Sequence, residues 1–218
     1  MRSGAQAPDY NRGMSAAFRR PFAVVLVTLA LSTAATVIAQ SPAPAAPPPV
    51  TNGPINPDDP DIRPGTPGKD VIFLPTPAEV VSAMLELAKV TKDDVVYDLG
   101  SGDGRTPIAA AKEHGARGVG VEFNPKLVAL SVQNAAQAGV ADRVRFINAD
   151  LFQTDISEAT VVTLYLLSSL NQKLLPKLQR ELKPGTRIVS HAFSMGEDWK
   201  PDAERTVNGK TIYLWTVK

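Results

Sequence analysis

The sequence predicts an α/β domain with a doubly wound, mostly parallel sheet, and three observations support this fold class. Between residues 94 and 193, short apolar segments of strand length alternate with longer helical segments. A glycine-rich turn, Gly100-Ser-Gly-Asp-Gly104, directly follows the first apolar segment. Near the end of the chain, Asn208-Gly209 separates two β-like segments, which is typical of a tight hairpin. Such alternation predicts helices on both faces of the sheet, and the C-terminal hairpin adds antiparallel pairing.

The helices and strands can be placed in chain order from their caps and periods. Thr76 and Pro77 are typical of an N-cap and a first-turn proline, and Glu79 completes a capping box, so a helix is expected over 80–90. Pro176 is expected to break the last helix or to begin its main segment. Strands are expected at 94–99, 116–123, 143–150, 160–167 and 186–193, and further helices at 106–115, 125–139 and 168–185. Thr106 and Asn124 are expected to cap the second and third of the four helices.

The first 69 residues differ in composition from the rest. Arg19 and Arg20 precede an apolar run from Pro21 to Ala39, which predicts a signal peptide or membrane anchor over residues 1–40. Residues 41–69 are rich in proline and are expected to form a disordered linker. Because the arginines precede the apolar run, we expect export or membrane anchoring, with residues 70–218 as a domain in the cell envelope.

Charge and cysteine content narrow the function classes. Five of the 23 basic residues and four of the 22 acidic residues precede Lys69, which leaves 18 of each in the predicted domain. A neutral domain argues against general nucleic-acid binding, so we expect no nucleic-acid partner. The chain has no cysteine, which excludes disulfides and cysteine metal sites, and no metal is expected.

Polar side chains follow four of the predicted strands. Asp98, Glu122, Asp150 and Tyr165 each lie at or just beyond a strand end. Parallel strands present their carboxyl ends at one edge of the sheet, where open α/β folds bind ligands. The sequence therefore predicts one crevice that contains all four.

Two ligands compete for this crevice. A dinucleotide would require G-x-G-x-x-G, and Arg105 stands where the last glycine or alanine belongs. Asp98 and Asp103 would repel a pyrophosphate and attract the ammonium and sulfonium groups of S-adenosylmethionine. Glu122 can bind ribose hydroxyls in either case, and Asp150 can accept from an adenine amine. The electrostatics favours the methyl donor over the dinucleotide of an oxidoreductase.

The motifs DLGSGDGR, GVGVEFNP and NADLF resemble the nucleotide-binding signature of class I, seven-strand S-adenosylmethionine-dependent methyltransferases. PTPAEVV and VVTLYLL further resemble the small membrane-associated protein-lysine methyltransferases that modify the ATP synthase c subunit and the adenine nucleotide translocase. The resemblance implies a Rossmann-like sheet of strand order 3-2-1-4-5-7-6, S-adenosyl-L-methionine as cofactor, and N-methylation of a protein lysine. The implied cofactor contacts are Thr76, Asp98, Gly100, Ser101, Gly102, Gly104, Glu122 and Asp150, with Asp103 added by its charge.

The acceptor and the activity remain open at this point. Tyr165 is expected to line the acceptor channel, whereas His191 is expected to be a structural histidine. The substrate can be a protein, including a membrane protein, or a small molecule. Because S-adenosylmethionine is made in the cytosol, the alternative is a non-catalytic module of the same fold in the cell envelope. The sequence does not determine the oligomeric state.

Overall fold

The computed structural model describes residue 59 and residues 63–65, 68–70 and 72–218. The predicted signal or anchor lies outside the described residues, as does most of the predicted linker. Among the described residues, the helices are too short or too polar to cross a bilayer.

The described part of the chain contains four helices and seven strands. Every strand and helix predicted from the sequence is present, with ends that differ by a few residues. In chain order they are α1 (Ala78–Leu87), β1 (Val95–Leu99), α2 (Arg105–His114), β2 (Arg117–Glu122), α3 (Pro125–Gln137), β3 (Val144–Asn148), β4 (Val161–Leu164), α4 (Ser168–Glu181), β5 (Arg187–His191), β6 (Ala203–Val207) and β7 (Lys210–Thr216).

The sheet has the order β3-β2-β1-β4-β5-β7-β6, which confirms the predicted topology. The first five strands pair in parallel, and β7 is antiparallel to both β5 and β6. Leu99, the last residue of β1, pairs with Val121 on one side and Leu164 on the other. From β1 the chain adds β2 and β3 on one side of the sheet and then crosses to the other side of β1 to add β4 and β5. Ligands of such sheets bind where this direction changes, so the crevice lies above the carboxyl ends of β1 and β4.

Alternate residues of the central strands pack against opposite layers of helices. Val96 packs with the buried residues of α1 and with Ala110 of α2. Tyr97 and Leu99 face the other side, in a cluster with Leu174 of α4. This period of two is the pattern of a strand covered on both faces, and all residues of β1 and β4 are buried.

Two local predictions from the sequence are confirmed. The side chain of Asn124 accepts a hydrogen bond from the backbone N–H of Lys126 at 2.9 Å, so Asn124 caps α3. Asn208 and Gly209 have φ values of 51° and 71°, as a two-residue hairpin turn between β6 and β7 requires.

The capping box predicted for α1 is wrong. The helix begins at Ala78, and Pro77 precedes it without a side-chain cap. Thr76 lies one residue too early to cap, and its hydroxyl instead approaches His191. Glu79 accepts a hydrogen bond from the Asn208 amide at 2.9 Å, which links α1 to the hairpin.

The predicted cap of α2 and the predicted break in α4 are also wrong. Gly104, with φ of 79°, occupies the cap position of α2, so Thr106 lies inside the helix and is buried. Helix α4 continues through Pro176. Pro176 and Gln172 are exposed, so water can satisfy the carbonyl that loses its partner, while Leu174 and Leu178 hold the helix in the core.

Candidate active site

A cleft lies over the carboxyl ends of β1, β2 and β4. One wall is the glycine turn after β1, and the facing wall is the segment 72–76, which leads into α1. Nine of the ten residues predicted for the site line this cleft: Thr76, Asp98, Gly100, Ser101, Gly102, Asp103, Glu122, Asp150 and Tyr165. Gly104 does not line it. A Cβ at Gly104 would lie 2.6 Å from the Phe146 ring, so this glycine allows close packing beneath the turn.

The glycine turn is fixed to β2 and shaped by positive φ values. The backbone N–H groups of Gly100 and Ser101 both donate to the carbonyl of Val121, at 2.8 and 3.0 Å. Gly102 has φ of 54°, and a Cβ there would lie 2.5 Å from the Phe73 ring. The turn therefore accepts only glycine where Phe73 of the facing wall meets it.

Asp98 is the most perturbed acidic group of the cleft. Only 8% of its surface is exposed, and the hydroxyl of Thr163 donates to its Oδ1 at 2.7 Å. Burial raises the pKa of Asp98 to about 7, against the opposing hydrogen bonds of Thr163 and Thr106. A buried carboxylate of this kind is suited to an ammonium ligand, because the ligand's charge offsets the cost of ionisation.

Asp103 is paired within the protein. Its carboxylate accepts from Nε and Nη2 of Arg105 at 2.9 and 2.6 Å, and the pair raises the pKa of the guanidinium. Nη1 of Arg105 donates to the carbonyl of Thr76 at 2.8 Å. Asp103 therefore shares its charge with Arg105, and the pair connects the glycine turn to the facing wall.

Glu122 connects the end of β2 to both neighbouring turns. Its carboxylate accepts from the N–H of Gly102 at 3.0 Å and from the N–H of Asn124 at 2.8 Å. Burial raises the pKa of Glu122, and these backbone hydrogen bonds oppose the rise. Each oxygen of a carboxylate can accept more than one hydrogen bond, so Glu122 retains acceptor capacity for a diol.

Asp150 lies at the opposite end of the cleft from Tyr165 along the sheet. The ammonium of Lys69 forms an ion pair with it, and this contact lowers the pKa of Asp150. The same ammonium lies 5.2 Å from the centre of the Phe123 ring. Asp150 also accepts from the N–H of Phe152 at 2.9 Å, so its second oxygen is fixed by the following turn.

Tyr165 and Thr76 form the end of the cleft nearest β5, and both contact His191. The rings of Tyr165 and His191 are 4.0 Å apart between centroids, and the Thr76 hydroxyl lies 3.5 Å from His191 Nδ1. His191 is 3% exposed, and burial lowers its pKa, with Lys210 adding to the effect. His191 is therefore neutral near pH 7.

Phe73, Lys69 and the pairing role of Arg105 were not predicted from the sequence. Phe73 lies before the first helix, where no periodic pattern marks it, and Lys69 reaches Asp150 across 81 residues. The nearness of His191 to Tyr165 was predictable, because β4 and β5 are neighbours in the expected strand order. Among the described residues, no cluster of histidine and carboxylate side chains is arranged to hold a metal ion.

Comparison with known proteins identifies the fold and cofactor of this site. Residues 98–203 match the family model of the ANTKMT methyltransferase domain. A solved RNA methyltransferase from Salinibacter ruber, in complex with S-adenosyl-L-homocysteine, is 60% identical, with a TM-score of 0.65 over 66% of this chain and 94% of that one. A protein-lysine N-methyltransferase of Saccharolobus islandicus is 46% identical over 152 residues, covering 67% of this chain and 94% of the relative.

The chain belongs to the class I S-adenosylmethionine-dependent methyltransferases. Animal relatives include a Xenopus laevis enzyme named as the lysine N-methyltransferase of the ATP synthase c subunit, 35% identical over 60% of this chain, and an adenine nucleotide translocase lysine N-methyltransferase of Mus musculus, 37% identical over 66%. The chain spans 56% and 62% of the lengths of these two proteins. This methyltransferase is thus an enzyme that uses S-adenosylmethionine. The alternatives of an inactive module and a dinucleotide oxidoreductase find no support among its relatives.

Proposed function

We propose that this methyltransferase methylates the ε-amino groups of lysine side chains in proteins. The observation that carries the proposal is the relative from Saccharolobus islandicus, named a protein-lysine N-methyltransferase, of which this chain covers 94% at 46% identity. The two animal relatives are also named for lysine methylation, although this chain covers a smaller share of each.

In this proposal, the polar residues of the cleft hold three parts of the cofactor. Asp98 binds the α-ammonium beside the glycine turn, where Ser101 has a buried hydroxyl without a partner among the described atoms. Glu122 binds the ribose hydroxyls. Asp150 binds the adenine amine, which requires Lys69 to share or to leave this carboxylate. The fit is supported by the buried carboxylate of Asp98 near the end of β1 and by the unpartnered hydroxyl of Ser101 on the turn that follows.

The cofactor supplies the methyl group as a sulfonium, and the protein contributes alignment and exclusion of water. Methyl transfer is an in-line displacement, so most of its acceleration comes from positioning. A lysine amine must be neutral when it attacks, and apolar surroundings lower the pKa of an ammonium group. Leu164 and Leu166, which precede and follow Tyr165 in the sequence, are buried and line the cleft. They provide such surroundings at its acceptor end.

RNA is the second candidate acceptor, because the Salinibacter ruber relative is titled an RNA methyltransferase. The charge of this chain favours protein over RNA, since basic and acidic residues are equal in number from Lys69 onward. Proteins that bind RNA backbones present an excess of Lys and Arg.

One experiment distinguishes the two acceptors. The full chain is incubated with tritiated S-adenosylmethionine and a total cell extract that includes membranes, and the label is then tested for sensitivity to protease and to ribonuclease. We expect protease-sensitive label. Asp98→Asn should abolish it, and Asp93→Asn is the matched control, because Asp93 is exposed and pairs only with the neighbouring Lys92 among the contacts described. Ribonuclease-sensitive label would replace the proposal with RNA methylation.

A further inference from the structure

Strand β5 ends in a strained turn beside the acceptor end of the cleft. Ala192 has φ of 64°, and the N–H of Phe193 donates to the carbonyl of His191 at 2.8 Å. A hydrogen bond between residues i and i+2 around a positive φ defines a γ-turn that is rare and strained. Non-glycine residues in such conformations are uncommon and cluster at functional sites.

The first turn of α4 holds this γ-turn in place. Asn171 is fully buried, and its amide nitrogen donates to the Ser190 hydroxyl at 3.2 Å and to the Phe193 carbonyl at 3.0 Å. The N–H of Ala192 donates to Thr211 of β7 at 2.8 Å. Helix α4 thus holds residues on both sides of the strained position, and β7 holds the strained residue itself.

The turn directs two rings onto Tyr165. The His191 ring lies 4.0 Å from the Tyr165 ring with an angle of 30° between the planes, and the Phe193 ring lies at 6.1 Å with an angle of 27°. Tyr165 is half-buried and lines the cleft, as does Thr76, whose hydroxyl approaches His191. Neither His191 nor Phe193 is among the described residues that line the cleft, so the strained turn shapes this wall through its contacts with the Tyr165 ring.

This aromatic cluster contains no positive charge that would repel a cationic ligand. Burial lowers the pKa of His191, so the ring against Tyr165 is uncharged near neutral pH. The face of an aromatic ring attracts ammonium groups, and the attraction is stronger when the site is desolvated. Each methylation of a lysine leaves a bulkier cation that gains from such a face.

We propose that Tyr165 forms the aromatic wall of an acceptor pocket that contacts the methylated ammonium forms of lysine. Phe193, His191 and Asn171 are positioning residues that hold this ring. This inference rests on the proposed function and extends it to the residues that select the acceptor. It also changes the expectation from the sequence that His191 is structural only.

The test compares two inhibitors that differ in charge alone. One is a nonapeptide with a central trimethyllysine, and the other is the same peptide with carbon in place of the quaternary nitrogen. The inhibition constant of each peptide is measured for methylation of extract proteins by the full chain at saturating S-adenosylmethionine. We expect the wild type to bind the cationic peptide about five- to tenfold more tightly. Tyr165→Leu should remove most of this preference and Phe193→Leu should reduce it, whereas S-adenosylhomocysteine affinity stays unchanged in the Phe193 variant.

His191 has its own pair of variants. His191→Phe keeps a ring against Tyr165 and should keep the preference, and His191→Ala should lose it. Val132→Ala, on the exposed side of α3, serves as the control. If the wild type methylates lysine but both peptides inhibit it equally, the pocket is overturned and the proposed function stands. If the wild type methylates RNA and no lysine, the proposed function itself is overturned.

Discussion

Replacing Asp98 with asparagine is expected to stabilise the protein without cofactor and to weaken cofactor binding strongly. The pKa of Asp98 is about 7 in the folded protein, against 3.8 for an ordinary aspartate. Between these values the unfolded chain has lost the proton and the folded chain has kept it, so folding takes up a proton. Stability therefore falls as the pH rises from about 4 to about 7 and then stays level.

The size of the effect follows from the pKa difference. At 1.36 kcal/mol for each pKa unit, a rise of about three units corresponds to about 4 kcal/mol lost above pH 7. Asparagine keeps the shape and an acceptor for Thr163 but cannot ionise. We expect Asp98→Asn to exceed the wild type by about 2–4 kcal/mol at pH 7.5 and to differ little at pH 4.

The binding effect has the opposite sign. The α-ammonium of the cofactor requires the ionised carboxylate, so loss of the charge should weaken binding by about 2–4 kcal/mol, or roughly 30- to 1,000-fold. In the wild type, affinity should fall about tenfold for each pH unit below 7. The variant should lack this pH dependence.

Urea denaturation at both pH values gives the stability, and calorimetric titration with S-adenosylhomocysteine gives the affinity. Asp93→Asn is the control and should match the wild type in both. A variant at position 98 that is less stable than the wild type at pH 7.5 and binds with unchanged affinity would refute the reasoning.

Three further predictions concern stability, the glycine turn and the N-terminal segment. Asp94→Ala should lower the free energy of unfolding by about 2–4 kcal/mol, because it breaks the hydrogen-bonded ion pair between the buried Asp94 and Arg187. Denaturation curves measure this loss, and cofactor affinity should stay unchanged. Gly102→Ala should weaken cofactor binding at least tenfold, since its Cβ would clash with Phe73. Gly139→Ala is the control: Gly139 has φ of 73° but open space around it, so this change should cost only about 1 kcal/mol of stability and leave cofactor affinity in the titration unchanged. Tagged protein that carries residues 1–40 should be recovered outside the cytosol, either with the membranes or in the exported fraction, and deletion of residues 1–40 should leave it in the cytosol. Recovery of the undeleted protein in the cytosol would contradict the predicted export or anchoring.

Much of the fold was predictable because its signals are local. The apolar segments, the Asn124 cap and the Asn208-Gly209 turn depend on neighbouring residues, and each is present in the structure. The strand order came from a family resemblance rather than from periodicity. The errors at Thr76 and Pro176 arose where tertiary contacts outweigh local preference.

The candidate site was predictable only in part. Strand ends indicate that Asp98 and Glu122 share an edge of the sheet, because parallel strands begin and end together. The sequence cannot show that Arg105 reaches the carbonyl of Thr76, or that Lys69 pairs with Asp150, since these contacts depend on how loops fold back. The γ-turn at Ala192 is equally hidden, because alanine carries no signal for a positive φ.

The central claim is that this enzyme methylates lysine in proteins. The most direct test is acid hydrolysis of extract proteins labelled by the purified full chain with tritiated S-adenosylmethionine, followed by amino-acid analysis. The proposal predicts label in mono-, di- or trimethyllysine, absent when Asp98→Asn replaces the wild type. Label that is recovered in methylated nucleotides, or in amino acids other than lysine, would contradict it.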